Sequence, residues 1–474
     1  MEGHGRRAVS RARAVRATVG EAIGRLRRER PTQVLAAAVL GGFVVRLVWI
    51  LYATRAPAGE HDPAFYEALA RSLAAGDGYA GPTGQPTAYY PPGYPAALSV
   101  VVWLVLHTPL PDDVPMAGAA LNLVVGTVSI ALVGLLGRRL VGPRVGAVAA
   151  VLVALTPSLI MYTGLLLTET LFIGVELSAL AVLLWRPWSG ESGGRPDAPS
   201  ARRLAVAGVL FGFALLVRPT FGPAFVLLLI ALALAWRDAR HWIRGTAVLV
   251  GAAALIVVPW TVRNFVQLHA FVPISTNTGD NLCIGNHPGA PGSFALPDYC
   301  FRELPPFDPP ASEVEQNRLL TERALEWMRQ HPGEQARLVA WRTYFTFLND
   351  HEAIRATTSY GDDPWLSPRR VEVLQFWADA VYFPLLALGA LGVAAFGAGR
   401  SPRRLALVLV ITGIAIAPWP FFGEPRFHVP LLPLLAVPAA LPLAAFPEIR
   451  RWFRPGVRVH GTEARDVGHS LTPE

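Results

Sequence analysis

Residues 95–144 read PAALSVVVWLVLHTPLPDDVPMAGAALNLVVGTVSIALVGLLGRRLVGPR. Two apolar runs flank an acidic turn containing Asp112 and Asp113, and the second run leads into Arg138, Arg139 and Arg144. That second run is long enough to cross hydrocarbon, which takes about 20 helical residues. Whether the first run also crosses decides the topology of the whole chain. Arginines flanking membrane spans mark the cytoplasmic side. Arg6, Arg7, Arg25, Arg27 and Arg28 precede the first long apolar run and therefore place the N-terminus inside. Were 95–110 to cross, the acidic turn would fall inside and Arg138, Arg139 and Arg144 outside, inverting the rule. A juxtamembrane or re-entrant helix at 95–110 satisfies the rule at every later loop.

Outward from this stretch, spans are expected at 34–53, 116–137, 145–161, 166–186, 204–217, 221–236, 245–260, 376–397, 404–421 and 428–446. The clusters Arg202/Arg203, Arg237/Arg240/Arg244, Arg400/Arg403/Arg404 and Arg450/Arg451/Arg454 then lie inside with Arg138, Arg139 and Arg144. The expected fold class is an all-α polytopic membrane bundle of about ten transmembrane helices. Juxtamembrane helices occupy its first outer loop, and a small mixed segment stands outside the membrane. The expected organisation is a basic cytoplasmic N-terminus over 1–33, a membrane core over 34–260 with its first outer loop at 54–115, an extracytoplasmic segment over 261–375, three further spans over 376–446, and a cytoplasmic tail over 447–474. Residues 187–203 are Gly-, Ser- and Pro-rich and are expected to form a loop. Within 261–375, a helix is expected from about Ser312, with Ser312 and Glu315 at cap spacing, and a second helix is expected to end near Leu348. No cleavable leader is expected, because no small-residue cleavage site closely follows the first apolar run.

Composition excludes a soluble class. Of 474 residues 52% are hydrophobic and only 16% charged, and mean hydropathy is +0.38. The net charge of +8 does not point to nucleic acid, because the arginines sit in short clusters between apolar runs. The chain contains no lysine. It also lacks a phosphate-cradling Walker loop and an HExxH pair, so ATP-driven transport and zincin chemistry have no sequence support. Cys283 and Cys300 fall in one outer segment, where they could form a disulfide closing a short loop or remain free thiols.

Polar residues in a polytopic chain gather where water or protein satisfies them. The first outer loop holds Asp62, an amphipathic stretch with Tyr66, and the run Tyr89-Tyr90-Pro91-Pro92. Asp62 before Pro63 is either a helix N-cap or a functional carboxylate. Glu169 opens a strongly apolar span, so it is either bonded to Thr168 or Thr170, or functional. Arg218 follows the fifth span, Arg263-Asn264 the seventh, and Glu424 and Arg426 stand in the last outer turn. These outlying arginines either pair with Glu169 and Glu424 or bind an anionic phosphate. Arg46, inside the first span, has three readings: snorkelling, pairing with a carboxylate, or contact with lipid phosphate.

The ordered set resembles the membrane-embedded GT-C glycosyltransferases of the family 39-like group, which includes protein O-mannosyltransferases and lipid A aminoarabinose transferases. It comprises Asp62, Tyr89-Tyr90-Pro91-Pro92, Thr168-Glu169, Arg218-Pro219, Pro259-Trp260 with Arg263-Asn264, and Glu424 with Arg426-Phe427, and it spans roughly 34–446. Two departures are Pro63 where the family often has a second acid, and Tyr89-Tyr90 where aminoarabinose transferases carry an acidic-basic pair. The resemblance implies an inverting transfer of one sugar from a polyprenyl-phosphate donor to an acceptor hydroxyl outside the plasma membrane, both termini being cytoplasmic. It assigns Asp62 as general base, Glu169 as the second acid, and Arg218 to the donor phosphate. Arg263, Asn264, Tyr66, Tyr89, Tyr90, Arg426 and Glu424 are the other substrate-binding candidates. Expected partners are the lipid-linked sugar, a protein, lipid or glycan acceptor, and membrane lipids, with no nucleic acid. A divalent metal is compatible with this chemistry, but no ligand set is identified. The alternative is a transporter or flippase of a lipid-linked envelope precursor, against which the lack of an internal repeat counts.

Overall fold

A computed structural model describes residues 30–109, 111–188, 199–236, 239–304, 311–399 and 401–447. The N-terminal arginines Arg6 to Arg28, most of the 187–203 loop, Arg237, Arg400, the 450–454 cluster and the C-terminal tail lie outside them. The described chain is helical, with two isolated bridges, Ala80 with Pro86 and Ser293 with Gly423. The helices are α1 Arg30–Ala53, α2 Asp62–Ala75, α3 Gly93–Leu106, α4 Val114–Leu140, α5 Pro143–Leu155, α6 Pro157–Met161, α7 Thr168–Leu184, α8 Ala201–Val217 and α9 Gly222–Ala235. After these come α10 Ala239–Leu268, α11 Thr278–Gly285, α12 Asp298–Phe301, α13 Ala311–Gln330, α14 Pro332–Phe347, α15 Glu352–Thr357, α16 Pro368–Gly397, α17 Pro402–Ile416 and α18 Leu431–Ala445.

Each expected span falls on a helix, but their lengths differ. α1, α4, α10 and α16 are each long and apolar enough to cross a membrane alone, and α5 with the segment through Gly164 forms a fifth candidate, bent by 64°. Pro157 removes a backbone donor at the break, so the span expected as continuous over 145–161 turns there. Arg46 explains why the bend is stable. Its guanidinium donates to the carbonyls of Val153 and Ala154 at 3.1 and 3.3 Å, and to Gly42 in its own helix at 3.2 Å. None of its three expected roles is observed: Arg46 satisfies carbonyls at the end of α5 in a place that water does not reach.

Without a hydrophobic drive between helices in lipid, close packing through small residues holds such a bundle together. On α8, Gly208 and Gly212 sit four apart against α10. A Cβ at either would lie 2.3 Å from the Leu249 carbonyl oxygen or 2.5 Å from that of Ala253. Gly413 of α17 meets α9 in the same way, its Cβ position 2.3 Å from Ala224 Cα.

Arg139, Arg203, Arg403 and Arg404 collect at one end. Arg203 donates to the carbonyls of Val182 and Leu183, Arg403 to Leu184, and Arg404 to Leu140. Arg139 covers the Trp185 ring at 4.2 Å. The C-termini of α4 and α7 therefore meet the N-termini of α8 and α17 there, and the opposite ends of α7, α8 and α17 share the other pole. The short helix α3 starts at that second pole, where Gly93 packs against the Val217 backbone. α4 also begins at the second pole, after the short 107–113 connection.

In the outer segment, α13 and α14 match the two expected helices. Glu315 does not close a capping box; it pairs with Arg318 at 2.6 Å. The neighbouring Glu313, buried, instead accepts from the Thr87 and Thr276 hydroxyls at 2.6 Å each and from the Ala88 N–H at 2.8 Å. It ties α13 to the first outer loop. Cys283 and Cys300 form a disulfide between α11 and α12.

Candidate active site

α2 begins at Asp62, with His61 in the cap position and Pro63 in the first turn. Asp62 is thus a helical residue rather than the cap. Its Oδ1 accepts from the Tyr90 hydroxyl at 3.1 Å and its Oδ2 meets Arg426 Nη1 at 2.6 Å. Glu169 stands in the first turn of α7 and is wholly buried. Its Oε1 takes Arg218 Nη1 at 2.6 Å and also a close contact from Arg426 Nε. Arg218, the residue that ends α8, also donates to Thr168 Oγ1 at 3.3 Å. Glu169 does not turn to Thr168 or Thr170 for satisfaction. It is held by two arginines, and Arg426 bridges the two carboxylates.

This arrangement answers the charge problem of a membrane-embedded acid. An isolated buried carboxylate is costly, whereas one facing two guanidinium donors is compensated. Burial alone disfavours the Arg426 cation, but the negative charges of Glu169 and Asp62 outweigh it and raise the pKa of Arg426. One Glu169 oxygen, Oε2, makes no hydrogen bond among the described residues.

A cavity of about 880 Å³ opens beside the quartet. Asp62, Arg218 and Arg426 line it, together with Tyr66, Tyr89, Tyr90 and Glu424. One wall is apolar: Phe172 from α7, Phe221 and Pro223 around the start of α9, and Ile414 and Ala417 at the end of α17. Tyr66 packs edge-on against Tyr90 at 5.1 Å and Tyr94 at 5.3 Å. Burial, and then the charge of Asp62, push the Tyr66 hydroxyl well above its usual pKa, so it stays protonated. Burial and the neighbouring Glu352 charge raise Glu424 to about 7.

The structure thus brings together Asp62, Glu169, Arg218, Arg426, Glu424, Tyr66, Tyr89 and Tyr90. It does not bring Arg263 and Asn264 to the cavity. Arg263 donates to the carbonyls of Tyr79 and Thr87 at 2.7 Å each and stacks on Trp260 at 4.9 Å. Asn264, buried, donates to the Val272 carbonyl at 3.1 Å. Both brace the 54–115 loop and the 272–274 segment, away from the cavity where substrate contact was expected.

Arg355 and Tyr360, which line the cavity, went unseen in the sequence. Arg355 pairs with Glu352 at 3.0 Å. The expected topology puts Arg355 on the same side as Arg218, so the signal that marked Arg218 applies equally to it. Tyr360, whose φ of 57° lies in the left-handed region, has no such signal. Among the described residues no three His, Cys, Asp or Glu side chains group as a metal site would need.

A family model described as dolichyl-phosphate-mannose-protein mannosyltransferase matches residues 98–262. No curated protein matches the chain by sequence. Among solved structures, the Archaeoglobus fulgidus oligosaccharyltransferase solved with zinc and sulfate aligns at TM-score 0.53 and 17% identity, over 89% of this chain and 50% of that one. Archaeal oligosaccharyltransferase AglB from the same organism, in complex with an inhibitory peptide and dolichol-phosphate, aligns at 0.51 and 16%, over 88% and 50%. ArnT from Cupriavidus metallidurans, bound to undecaprenyl phosphate, aligns at 0.51 and 15%, over 89% and 61%. The chain thus spans about half the length of the oligosaccharyltransferases it matches. A polytopic helical bundle, its polar quartet at one pole and these likenesses converge on one conclusion: the chain has the GT-C fold of the membrane-embedded glycosyltransferases.

Proposed function

We propose that this protein is an inverting glycosyltransferase that moves a single sugar from a polyprenyl-phosphate donor to an acceptor hydroxyl at the extracytoplasmic face of the plasma membrane. The observation that carries this is Arg426 bridging Asp62 and Glu169, with Arg218 on the same Glu169 oxygen, at the head of a cavity with an apolar wall. A lipid phosphate needs such a pairing of guanidinium head and apolar groove. The lipid phosphates bound to AglB and ArnT support a donor of this class. The arginine-rich opposite pole and the disulfide in the outer segment support an extracytoplasmic site with both termini in the cytoplasm.

The donor phosphate competes with Glu169 and Asp62 for the N–H groups of Arg218 and Arg426, which frees Asp62 Oδ2 toward the acceptor. Asp62 then takes the acceptor hydroxyl proton as the acceptor oxygen bonds the anomeric carbon from the face opposite the phosphate. The carbon–oxygen bond to phosphate breaks, its electron pair stays on the phosphate oxygen, and the two guanidiniums stabilise the added charge. Glu169 holds both arginines in place. The products are the inverted glycoside and the polyprenyl phosphate, with the proton on Asp62.

The test is to incubate purified protein in liposomes with a panel of radiolabelled polyprenyl-phosphate sugars and candidate acceptors. Transfer of label from one lipid into a new glycosidic bond of opposite anomeric configuration is expected. Movement of lipid between leaflets with no new bond would overturn the proposal.

A further inference from the structure

The cavity has a second polar wall, distant in sequence from the quartet and chemically unlike it. It is built from Ser275, Asn277, Thr278, Asp280 and Asn281, at and before the start of α11, with Tyr89 beside them. Hydroxyls, amides and one carboxylate make up this wall, and none of its side chains is cationic. The quartet pole is different, since there two arginines confront two acids. The two are joined by adjacent tyrosines whose rings lie 5.0 Å apart. Tyr90 gives its hydroxyl to Asp62 at 3.1 Å, and Tyr89 gives its own to Asp280 at 2.5 Å.

The wall is braced from behind. Cys283, one turn along α11, is bonded to Cys300 of α12, and both pack with Leu320 and Ala324 of α13. The Gly279 N–H donates to Asn317 Oδ1 at 2.7 Å. A Cβ at Gly279 would lie 2.3 Å from the Asn317 carbonyl oxygen, so the helix is pressed against α13. Phe301 of α12 also reaches the cavity. A rigid row of acceptors and donors beside an aromatic face suits a neutral polyhydroxyl ligand. Its hydroxyls need paired planar partners, and its C–H face needs an apolar platform. A phosphate would find no positive charge here.

We propose that the α11 wall is the sugar-hydroxyl subsite of this cavity, with Asp280 as its specificity-determining residue for a neutral sugar. The assignment rests on the transferase reading above. The sugar could be the one carried by the donor lipid or one at the end of a glycan acceptor, and both present the same vicinal hydroxyls. A site built to hydrogen-bond a hydroxyl discriminates strongly against ligands lacking it, because its own buried groups would be left unpaired.

The experiment measures binding of undecaprenyl phosphate alone and of undecaprenyl-phosphate mannose, glucose and galactose to wild type and Asp280→Ala. It also measures KM for soluble methyl glycoside acceptors. Asp280→Asn, which leaves an oxygen for the Tyr89 hydroxyl, is the second variant should Asp280→Ala fail to fold. For a donor-sugar subsite, Asp280→Ala weakens the best-bound glycosylated lipid by about tenfold or more while leaving the bare lipid phosphate unchanged. For an acceptor subsite, lipid binding holds and the acceptor KM rises by a similar factor. The subsite is overturned if bare and glycosylated lipids weaken equally, or if neither lipid binding nor acceptor KM moves in either variant. Wild-type protein that binds no lipid of the set, bare phosphate included, sinks the donor reading itself, and this subsite with it.

Discussion

The two ends of α7, α8 and α17 use the same residue for opposite purposes. At one end Arg203, Arg403 and Arg404 donate to the carbonyls of Val182, Leu183, Leu184 and Leu140, where helices stop and leave acceptors without partners. At the other end Arg218 and Arg426 face the carboxylates of Glu169 and Asp62. A carbonyl has no charge to exchange, so the contacts of Arg203 and Arg404 with these carbonyls hold helices together. The carboxylate-bound set holds mobile charge next to a cavity, where an anionic ligand can take over the same N–H groups. The partner of each arginine, rather than its distance from the membrane edge, separates structure from chemistry.

That contrast can be broken by substitution, most severely at Asp62. Asp62→Asn keeps an oxygen for Tyr90 but removes the base, and transfer should fall by about 10²–10⁴-fold with the melting midpoint near wild type. Full turnover by this variant, measured with labelled donor, would mean that the proton leaves by another route. Next in size is Glu169→Ala, which leaves Arg218 and Arg426 without their shared buried counter-charge. It should destabilise the fold by about 3–5 kcal/mol, read from denaturation in detergent. Arg404→Ala, at the opposite pole, should lose about 1–3 kcal/mol by stranding the Leu140 carbonyl. Its turnover per folded molecule should not change, and a selective loss of transfer would erase the distinction between the poles.

The smallest expected effect is on pH dependence. The pKa of Glu424 is raised to about 7 by burial and by Glu352. A carboxyl whose folded pKa lies above its unfolded value contributes stability that is complete below the unfolded pKa and is lost as pH rises through about 7. The melting midpoint should therefore decline across that window in wild type and decline less in Glu424→Gln. Equal profiles for the two proteins would show that Glu424 carries no such charge.

Much of the site was legible because its signals are local contradictions. Glu169 in an apolar span and Arg218 and Arg426 on the arginine-poor side each break a rule that a single window of sequence can test. Arg263 breaks the same rule and yet serves the backbone, through the carbonyls of Tyr79 and Thr87. Glu313 shows the reverse failure. Its helix reads as a solvated face, but the side chain is buried and accepts two hydrogen bonds from the 54–115 loop and a third from Thr276. Nothing in its neighbourhood along the chain marks it, because its partners lie at Thr87, Ala88 and Thr276.

The sequence by itself determined which segments form apolar helices and where the arginines between them fall. Hydropathy and arginine placement are sums over neighbouring residues, and the bilayer sorts them one segment at a time. Only the tertiary structure decided which arginine meets a carboxylate. Arg426 finds Glu169 and Asp62 from 257 and 364 residues away. A hydrogen bond is set within a few tenths of an ångström, so that choice belongs to the packing of α2, α7, α8 and the last outer turn, and to no local pattern.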